Sequence, residues 1–339
     1  MSSVEVAIGD STPAHEQAGL TVRDLYQMYY YMQLTRSLED RVRNLYLQGK
    51  LLGAVYSSRG QEGTAVASAY ALESQDYISP LIRDLGASMV RGMQPGPIFA
   101  QWLGRMGGPT QGRDGNLHFG DLSKGILAPV SMLGETIPLC AGIGLATKQR
   151  SGSSVALAYI GDGASNTGPF HEGMNFIATL NLPVVVIIEN NGFAYSTPVA
   201  QHVAITSFAD RAQSYGIAST TVDGNDVIDV YRETRAAVDR ARSGNGPTLI
   251  EALTFRMRGH AEHDDAFYVP AELNAEWEKR DPIQNLITYL HERNLFDSDR
   301  HDEANRKIQQ ELDAGIAWAQ DSPFPLAETQ ADGVHAQPL

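Results

Sequence analysis

The chain has 339 residues, of which 42% are hydrophobic, and it carries a formal net charge of −14 with a pI near 5.0. This length and apolar content allow one large α/β domain or two smaller ones. The acidic balance argues against nucleic acid or an anionic membrane as a partner, because binding to phosphate backbones depends on clustered Lys and Arg.

Residues 1–20 form a polar leader that lacks the basic start and apolar run of a secretory signal and the Arg-rich pattern of a transit peptide. We expect this leader to be flexible, followed by one main domain over residues 21–325 and a tail over residues 326–339. No stretch of the sequence has a membrane-spanning length of apolar residues. The single cysteine, Cys140, lies in an apolar stretch and indicates a core thiol without a disulfide. We therefore expect a cytoplasmic protein of a prokaryote.

The first part of the predicted domain is helical. Apolar residues recur there at three- and four-residue steps, which is typical of amphipathic helices, and Thr21 with Asp24 predicts the first N-cap. These helices are predicted over residues 21–49, 61–72 and 97–103. The glycine-rich run 104–125 predicts an irregular loop that faces a ligand.

The middle of the chain alternates between helices and continuous apolar strands. Strands that are apolar throughout, with helices between them, indicate a parallel sheet covered on both faces. The strands are predicted over residues 155–160, 184–188, 217–222 and 248–255, and the helices over 137–149, 170–180 and 227–243. Two further helices are predicted, one opening at Asp281-Pro282 and one near residues 305–319. The predicted fold class is therefore α/β.

Two of these strands are followed by polar residues. The sequence Gly-Asp-Gly at 161–163 follows one strand, and Glu-Asn-Asn at 189–191 follows the next. Because ligands of such sheets bind at the carboxyl ends of the strands, Asp162 and Asn191 are expected to meet at one site. Their side-chain oxygens suit Mg²⁺. The three glycines within 161–168 let a diphosphate approach the main chain, and the following helix start would face its charge.

At these residues the chain resembles the thiamine diphosphate enzymes, whose signature is GDG followed, after a helix and a strand, by NN. A lone GDG is usually an ordinary turn, whereas the paired motif between two buried strands is specific. Over residues 22–319 the chain further resembles the alpha subunit of the dehydrogenase component of 2-oxo acid dehydrogenase complexes. The matching stretches are SRGQEG at 58–63, VDGND at 222–226, GPTLIEALTFRMRGH at 246–260 and DPI at 281–283.

The resemblance implies a thiamine-diphosphate-binding fold, with thiamine diphosphate and Mg²⁺ as cofactors. Asp162 and Asn191 would bind Mg²⁺ through their side chains, and Phe193 through its carbonyl. The guanidinium forks of two arginines would hold the diphosphate together with the main chain of the GDG turn. These diphosphate contacts are assigned to Gly161, Gly163, Ala164, Arg83 and Arg256.

Three further positions match residues around the reacting part of the cofactor. Ser131 and Leu133 would contact the aminopyrimidine, mainly through the backbone. His260 matches a catalytic histidine on a mobile loop, which would contact cofactor, orient or protonate the substrate and help to transfer the acyl group. An imidazole suits this role because it changes charge near neutral pH.

Two positions depart from the family pattern. Ile82 stands where a tyrosine usually precedes the first diphosphate arginine, and Leu85 stands where a histidine is common. Loss of the phenol removes a hydrogen bond to a charged acceptor, worth about 1.5 to 3 kcal/mol. We expect weaker cofactor affinity or a more apolar substrate pocket.

The implied reaction is oxidative decarboxylation of a 2-oxo acid, either pyruvate or a branched-chain acid, with acyl transfer to the lipoyl group of a partner acyltransferase. In this family a beta subunit supplies a glutamate that the thiamine ring requires. We therefore expect an α₂β₂ heterotetramer and an isolated alpha chain without activity.

Several alternatives stay open. The stretch DLSKG at 121–125 resembles the alpha subunit of acetoin dehydrogenase, which cleaves a hydroxyketone with the same machinery. From other classes, the chain could be a Mg²⁺-dependent phosphohydrolase with Asp162 as nucleophile, or a scaffold paralogue that binds a beta chain without the cofactor. Among the other polar groups, Arg113 and His118 are interpreted as loop structure and residues 29–31, three tyrosines, as helix packing.

Overall fold

The computed structural model describes residues 12–332 except 52 and 116. Its strands are β1 (Tyr77–Ser79), β2 (Ala156–Gly161), β3 (Val184–Asn190), β4 (Phe193–Ala194), β5 (Thr197–Pro198), β6 (Ala218–Asp223) and β7 (Thr248–Leu253). Five of them form one parallel sheet in the order β1-β2-β3-β7-β6, and β4 pairs antiparallel with β5. The predicted α/β class with a parallel sheet is confirmed.

Helices cover both faces of this sheet. They are α1 (Ala14–Gln17), α2 (Val22–Leu47), α3 (Glu62–Tyr70), α4 (Leu85–Val90), α5 (Pro95–Trp102), α6 (Thr136–Gln149), α7 (Gly168–Thr179), α8 (Val199–His202), α9 (Ala212–Tyr215), α10 (Val227–Arg242), α11 (Ala271–Glu278), α12 (Pro282–Glu292) and α13 (Ser298–Asp321). Short 3-10 turns lie at Leu122–Lys124, Ala164–Asn166, Phe208–Arg211 and Ala327–Ala331.

Alternate residues of the central strands pack into two separate apolar cores, because neighbouring side chains of a strand point to opposite faces. In β2, Leu157 and Tyr159 belong to the core under α2, α3 and α10. Ala158 and Ile160 belong to the core under α6 and α7. The unbroken apolar runs in the sequence follow from this burial on both faces.

Several local predictions are confirmed. Thr21 caps α2, and its hydroxyl accepts from the Asp24 N–H while Asp24 accepts from the Thr21 N–H. Cys140 is a buried free thiol, and burial raises its pKa to about 12. Tyr29 packs in the core below α2, and its hydroxyl donates to Asn305 Oδ1 at 3.1 Å.

Other predictions need correction. β1 and α4 were not predicted from the sequence, because they are only three and six residues long and carry too little pattern to stand out. The predicted domain bounds stay a prediction; within the predicted leader, His15 of α1 is buried and its ring bonds to the Tyr289 hydroxyl at 2.8 Å. Part of residues 326–339 also carries defined structure, in the 3-10 turn Ala327–Ala331.

The run 104–125 is irregular as predicted, but most of its described residues do not line the large cavity. The Met106 N–H donates to the Pro323 carbonyl at 2.9 Å, and Arg113 donates to the Thr329 carbonyl at 3.1 Å. Of its described residues, Leu117 and His118 line the large cavity described below. Among the described residues, no helix combines the length and the apolarity needed to cross a membrane.

Candidate active site

The two polar motifs meet at the carboxyl edge of the sheet. β2 and β3 are adjacent and parallel, with Gly161 paired to Glu189, so the residues that follow both strands emerge side by side. The N–H groups of Asp162 and Asn191 both donate to the Glu189 carbonyl, at 3.3 and 3.1 Å. One carbonyl therefore holds the two motif residues next to each other.

A cavity of about 530 Å³ opens at this edge. Its volume falls in the usual range of ligand pockets. Every site residue expected from the sequence lines it: Arg83, Ser131, Leu133, Gly161, Asp162, Gly163, Ala164, Asn191, Phe193, Arg256 and His260. They come from the last residue of β2, from β4 and from the loops that follow β1, β2, β3 and β7, together with the segment before α6.

The donor atoms around Asp162 fit a hard divalent cation. Asp162 is buried; its Oδ1 accepts from the Gly163 N–H at 2.7 Å, and its Oδ2 has no hydrogen-bond partner among the described residues. Burial raises its pKa. Asn191 donates from Nδ2 to Gln61 Oε1 at 3.2 Å, and its Oδ1 accepts from the Phe193 N–H at 3.3 Å. Asp162 and Asn191 line the same cavity, and carboxylate and amide oxygens are ligands that suit Mg²⁺.

Arg83 and Arg256 place two buried positive charges on the same cavity. Within the described residues neither forms a salt bridge with a carboxylate; Arg83 donates to the His260 carbonyl, and Arg256 donates to the Tyr195 carbonyl and the Tyr268 hydroxyl. Arg83 Nε is buried and has no hydrogen-bond partner in the described part of the chain. Burial and the nearby Arg256 lower the pKa of Arg83 to about 10. Buried cations without counter-charges are costly, and an anion such as a diphosphate would compensate them.

Gly161 and Gly163 differ in the space around their Cα atoms. A Cβ on Gly161 would meet no atom within 4 Å, so this position leaves open space beside the cavity. A Cβ on Gly163 would lie 2.5 Å from the Ala194 Cβ, so packing against β4 already requires glycine there. The Gly163 N–H is engaged by Asp162 Oδ1. A contact between Gly163 and a diphosphate would need that bond to be exchanged.

His260 lies on the cavity wall between Tyr56 and Tyr195, with ring centroids at 5.4 and 4.4 Å. Burial, followed by the charges of Arg83 and Arg256, lowers its pKa to about 4. The imidazole of this chain is therefore neutral at pH 7. The expectation of a charge change near neutral pH is wrong for the chain by itself, because the neighbouring guanidinium groups oppose protonation.

Sequence reasoning missed a pair of buried carboxyl groups. Glu189 and Asp84 are neighbours; burial and Asp84 raise the pKa of Glu189 well above its ordinary value, and burial raises that of Asp84 to about 6. Glu189 lines the cavity. Asp84 directly follows Arg83 and gave no separate signal, because the contact joins β3 to the loop after β1.

His118 was interpreted as loop structure, and it lies in an irregular segment. Its ring bonds to the Ser131 hydroxyl, and the residue lines the cavity. Arg113 does serve the loop, through the Thr329 carbonyl. Ile82 lines the main cavity beside Arg83, and Leu85 lies with it on a smaller cavity next to the first.

The other sequence stretches that matched the family hold this edge together. The Thr64 hydroxyl, next to SRGQEG, donates to the Gly224 carbonyl of VDGND at 3.0 Å. The Thr254 hydroxyl donates to Asn225 Oδ1 at 2.8 Å and lies 2.9 Å from the Gly60 carbonyl. Through Gln61, this junction also reaches Asn191. These family-matching stretches therefore bond to one another and, through Gln61, hold Asn191 in place.

Comparison with known proteins adds the family. The profile described as "Dehydrogenase E1 component" matches residues 30–328. That span covers most of the chain. The chain belongs to the dehydrogenase E1 component family. Members of this family depend on thiamine diphosphate, and the fold of this E1 chain is the thiamine-diphosphate-binding fold.

Three relatives show which subunit of that component it is. The E1 chain is 35% identical over 311 residues to the alpha subunit of acetoin:2,6-dichlorophenolindophenol oxidoreductase of Bacillus subtilis, covering 91% of this chain and 93% of that protein. It is 34% identical over 330 residues to the 2-oxoisovalerate dehydrogenase subunit alpha of Bacillus subtilis (96% and 100%). It is 35% identical over 306 residues to the pyruvate dehydrogenase E1 component subunit alpha of Staphylococcus aureus (88% and 79%). It is an alpha subunit of an oxidoreductase that works with a beta subunit.

Proposed function

We propose that this alpha subunit takes part in the oxidative decarboxylation of a 2-oxo acid, pyruvate or a branched-chain acid, with transfer of the acyl group to lipoyl on a partner acyltransferase. One observation carries the proposal: Asp162 and Asn191, joined through the Glu189 carbonyl, share one cavity with the unpaired Arg83 and Arg256. A cation site next to buried positive charges suits a metal-bound diphosphate.

Each group has a distinct task in this proposal. Asp162, Asn191 and the Phe193 carbonyl would hold Mg²⁺, and Arg83 and Arg256 would hold the diphosphate oxygens. The turn Ala164–Asn166 and the main chain from Gly161 would lie along the same anion. When bound, thiamine diphosphate supplies the carbanion chemistry, while the protein supplies position and charge.

His260 would act as a neutral hydrogen-bonding group. Its pKa of about 4 leaves the ring uncharged at pH 7. Because a diphosphate would offset the charges of Arg83 and Arg256, we expect the cofactor to raise this pKa toward its ordinary value. We therefore infer that the neutral imidazole orients the 2-oxo acid by hydrogen bonding and is less suited to donating a proton to it.

The substrate end of the cavity is apolar. Ile82, Met132 and Leu133 line it, and the last two are 65% and 60% exposed at its mouth. Apolar side chains that lie exposed beside a buried charged site favour a second protein surface as cover. We propose that the beta subunit covers this mouth in an α₂β₂ heterotetramer. The buried free thiol of Cys140 supports a cytoplasmic location, where thiols stay reduced.

Acetoin cleavage remains the second candidate, and its support is the identity to the acetoin-oxidising relative. The DLSKG stretch gives little help, because none of residues 121–125 lines the cavity. Its residues form a 3-10 turn capped by Asp121, next to a bridge between Ile126 and Ile78. The phosphohydrolase reading lacks a lysine among the residues that line the cavity.

Reconstitution with a beta subunit of this family tests the proposal. The assembled enzyme is given pyruvate, 3-methyl-2-oxobutanoate or acetoin, with and without thiamine diphosphate and Mg²⁺, and reduction of an artificial electron acceptor is followed. Cofactor-dependent turnover of a 2-oxo acid is the expected result. Turnover of acetoin alone would select the second candidate, and assembly without cofactor dependence would select the scaffold paralogue.

A further inference from the structure

A chain of polar side chains leads from the protein surface to Asp162. Arg211 donates to the Ser165 carbonyl, to the Ser165 hydroxyl at 2.9 Å and to Asn166 Oδ1, so it fixes the turn that follows Gly163. Asn166 Nδ2 then lies 3.0 Å from His202 Nδ1. The other ring nitrogen, His202 Nε2, lies 3.9 Å from Asp162 Oδ2.

The direction of these bonds sets the tautomer of His202. A guanidinium group can only donate, so the atom of Asn166 that faces Arg211 must be the amide oxygen. The amide NH₂ therefore faces His202, and Nδ1 must accept from it. The proton of the neutral ring is then on Nε2, which points toward Asp162.

The two atoms that face each other at the end of this chain of polar side chains, His202 Nε2 and Asp162 Oδ2, are buried and lack hydrogen-bond partners among the described residues. The His202 side chain is 13% exposed and that of Asp162 is 3% exposed. A donor and an acceptor that are both buried and lie 3.9 Å apart need only a small movement to bond.

We propose that His202 is a positioning residue for the metal carboxylate: its Nε2–H donates to Asp162 Oδ2 when the cation binds and fixes the orientation of that carboxylate. His202 does not line the cavity, so it would act through Asp162. A carboxylate oxygen carries two lone pairs and can accept from His202 while it binds the cation. This inference rests on the proposed function, because it requires a metal at Asp162.

Binding of Mn²⁺ to the assembled alpha and beta chains, in the presence of thiamine diphosphate, tests the proposal without relying on turnover. Free Mn²⁺ is measured by electron paramagnetic resonance. His202→Leu should raise the Kd for Mn²⁺ by about 10- to 100-fold, as loss of an outer partner of a metal ligand commonly does. His202→Gln should stay near wild type, because its amide nitrogen can donate from about the same place.

Asn166→Asp tests the tautomer separately. A carboxylate at 166 must accept from Nδ1–H, which moves the ring proton to Nδ1 and leaves Nε2 as an acceptor facing Asp162. The Kd should rise as it does in His202→Leu. In the His202→Gln background, which has no tautomer, the same Asp should have a much smaller effect, and this comparison separates the tautomer from the added charge.

His171→Leu is the matched control, because this exposed histidine bonds to the Tyr215 hydroxyl and lies outside the cavity. Its Kd for Mn²⁺ should equal that of wild type. A wild-type Kd for Mn²⁺ in His202→Leu would overturn the inference, as would a His202→Gln enzyme as weak as His202→Leu. If His202→Leu does not assemble, the other two variants decide: a near-wild-type Kd in His202→Gln with a raised Kd in Asn166→Asp supports the inference, and any other result overturns it. Absence of Mn²⁺ binding by the wild-type assembly would instead overturn the proposed function.

Discussion

Two buried aspartates lie at opposite ends of the same sheet and differ in their partners. Asp76 precedes β1 at the amino end and is fully buried. Its carboxylate accepts from the Val155 N–H and the Glu73 N–H, each at 2.8 Å, and pairs with Arg242 at 2.5 Å. Both carboxylate oxygens of Asp76 therefore have partners within the chain.

Asp162 follows β2 at the carboxyl end and is buried almost as deeply. One of its oxygens accepts from a single N–H, and the other has no partner among the described residues. The nearby Arg83 and Arg256 likewise lack a carboxylate within the described part of the chain. Burial of a charge is tolerated at the amino end because it is compensated there; at the carboxyl end the described residues leave it without such a partner, and the proposed ligand would supply one.

Asp76→Ala should have the largest effect in this comparison. It leaves the Arg242 guanidinium and two N–H groups without their acceptor, so the free energy of unfolding should fall by about 3 to 5 kcal/mol. Urea unfolding of the isolated chain measures this. Affinity for thiamine diphosphate in the assembled enzyme should not change if enough folded protein is recovered. A loss below about 1 kcal/mol would mean that the amino-end cluster is not stabilising in this way.

Asp162→Ala should lower activity strongly and change the free energy of unfolding little, the reverse of Asp76→Ala. Activity with thiamine diphosphate and Mg²⁺ should fall at least about 100-fold, which corresponds to about 2.7 kcal/mol. Unfolding of the isolated chain without cofactor should change by no more than about 1 kcal/mol, because only one hydrogen bond is lost. Steady-state kinetics and urea unfolding measure the two quantities. Retained activity would rule out Asp162 as the metal ligand.

Arg83→Met addresses the positive side of the carboxyl end. Loss of a hydrogen bond to a charged acceptor should weaken thiamine diphosphate binding by about 1.5 kcal/mol, or about tenfold. Without cofactor, the variant should be as stable as wild type, since removal of one charge relieves its repulsion with Arg256. Calorimetric titration of the assembled enzyme gives the affinity. The matched Arg242→Met, at the amino end, should instead lower stability.

The last prediction concerns pH. Since the pKa of His260 is lowered to about 4 in the folded chain, the unfolded chain binds a proton first as pH falls. Relative to His260→Gln, wild type should hold a constant stability above pH 6.5 and lose part of it between pH 6.5 and 4. Urea unfolding at a series of pH values measures the difference. Added thiamine diphosphate and Mg²⁺, in the assembled enzyme, should move the titration upward.

Much of the carboxyl end could be predicted from the sequence because local pattern determines it. The apolar runs of β2 and β3 identify two buried strands, and the polar motifs directly after them must then emerge at one edge. The resemblance contributed the more distant residues Arg83, Arg256 and His260, and the structure brings all three to that edge. Their tasks in cofactor binding stay predictions.

Other features depend on contacts between distant parts of the chain, which local sequence pattern does not predict. The short β1, the strand order, the Glu189–Asp84 pair and the approach of His202 to Asp162 belong to this group. The sequence by itself determined a parallel α/β sheet with an acid and an amide at the ends of neighbouring strands, since strand burial and side-chain period are local properties. Only the tertiary structure decided which buried charges find partners, because a partner may lie more than a hundred residues away along the chain, as Arg242 lies from Asp76.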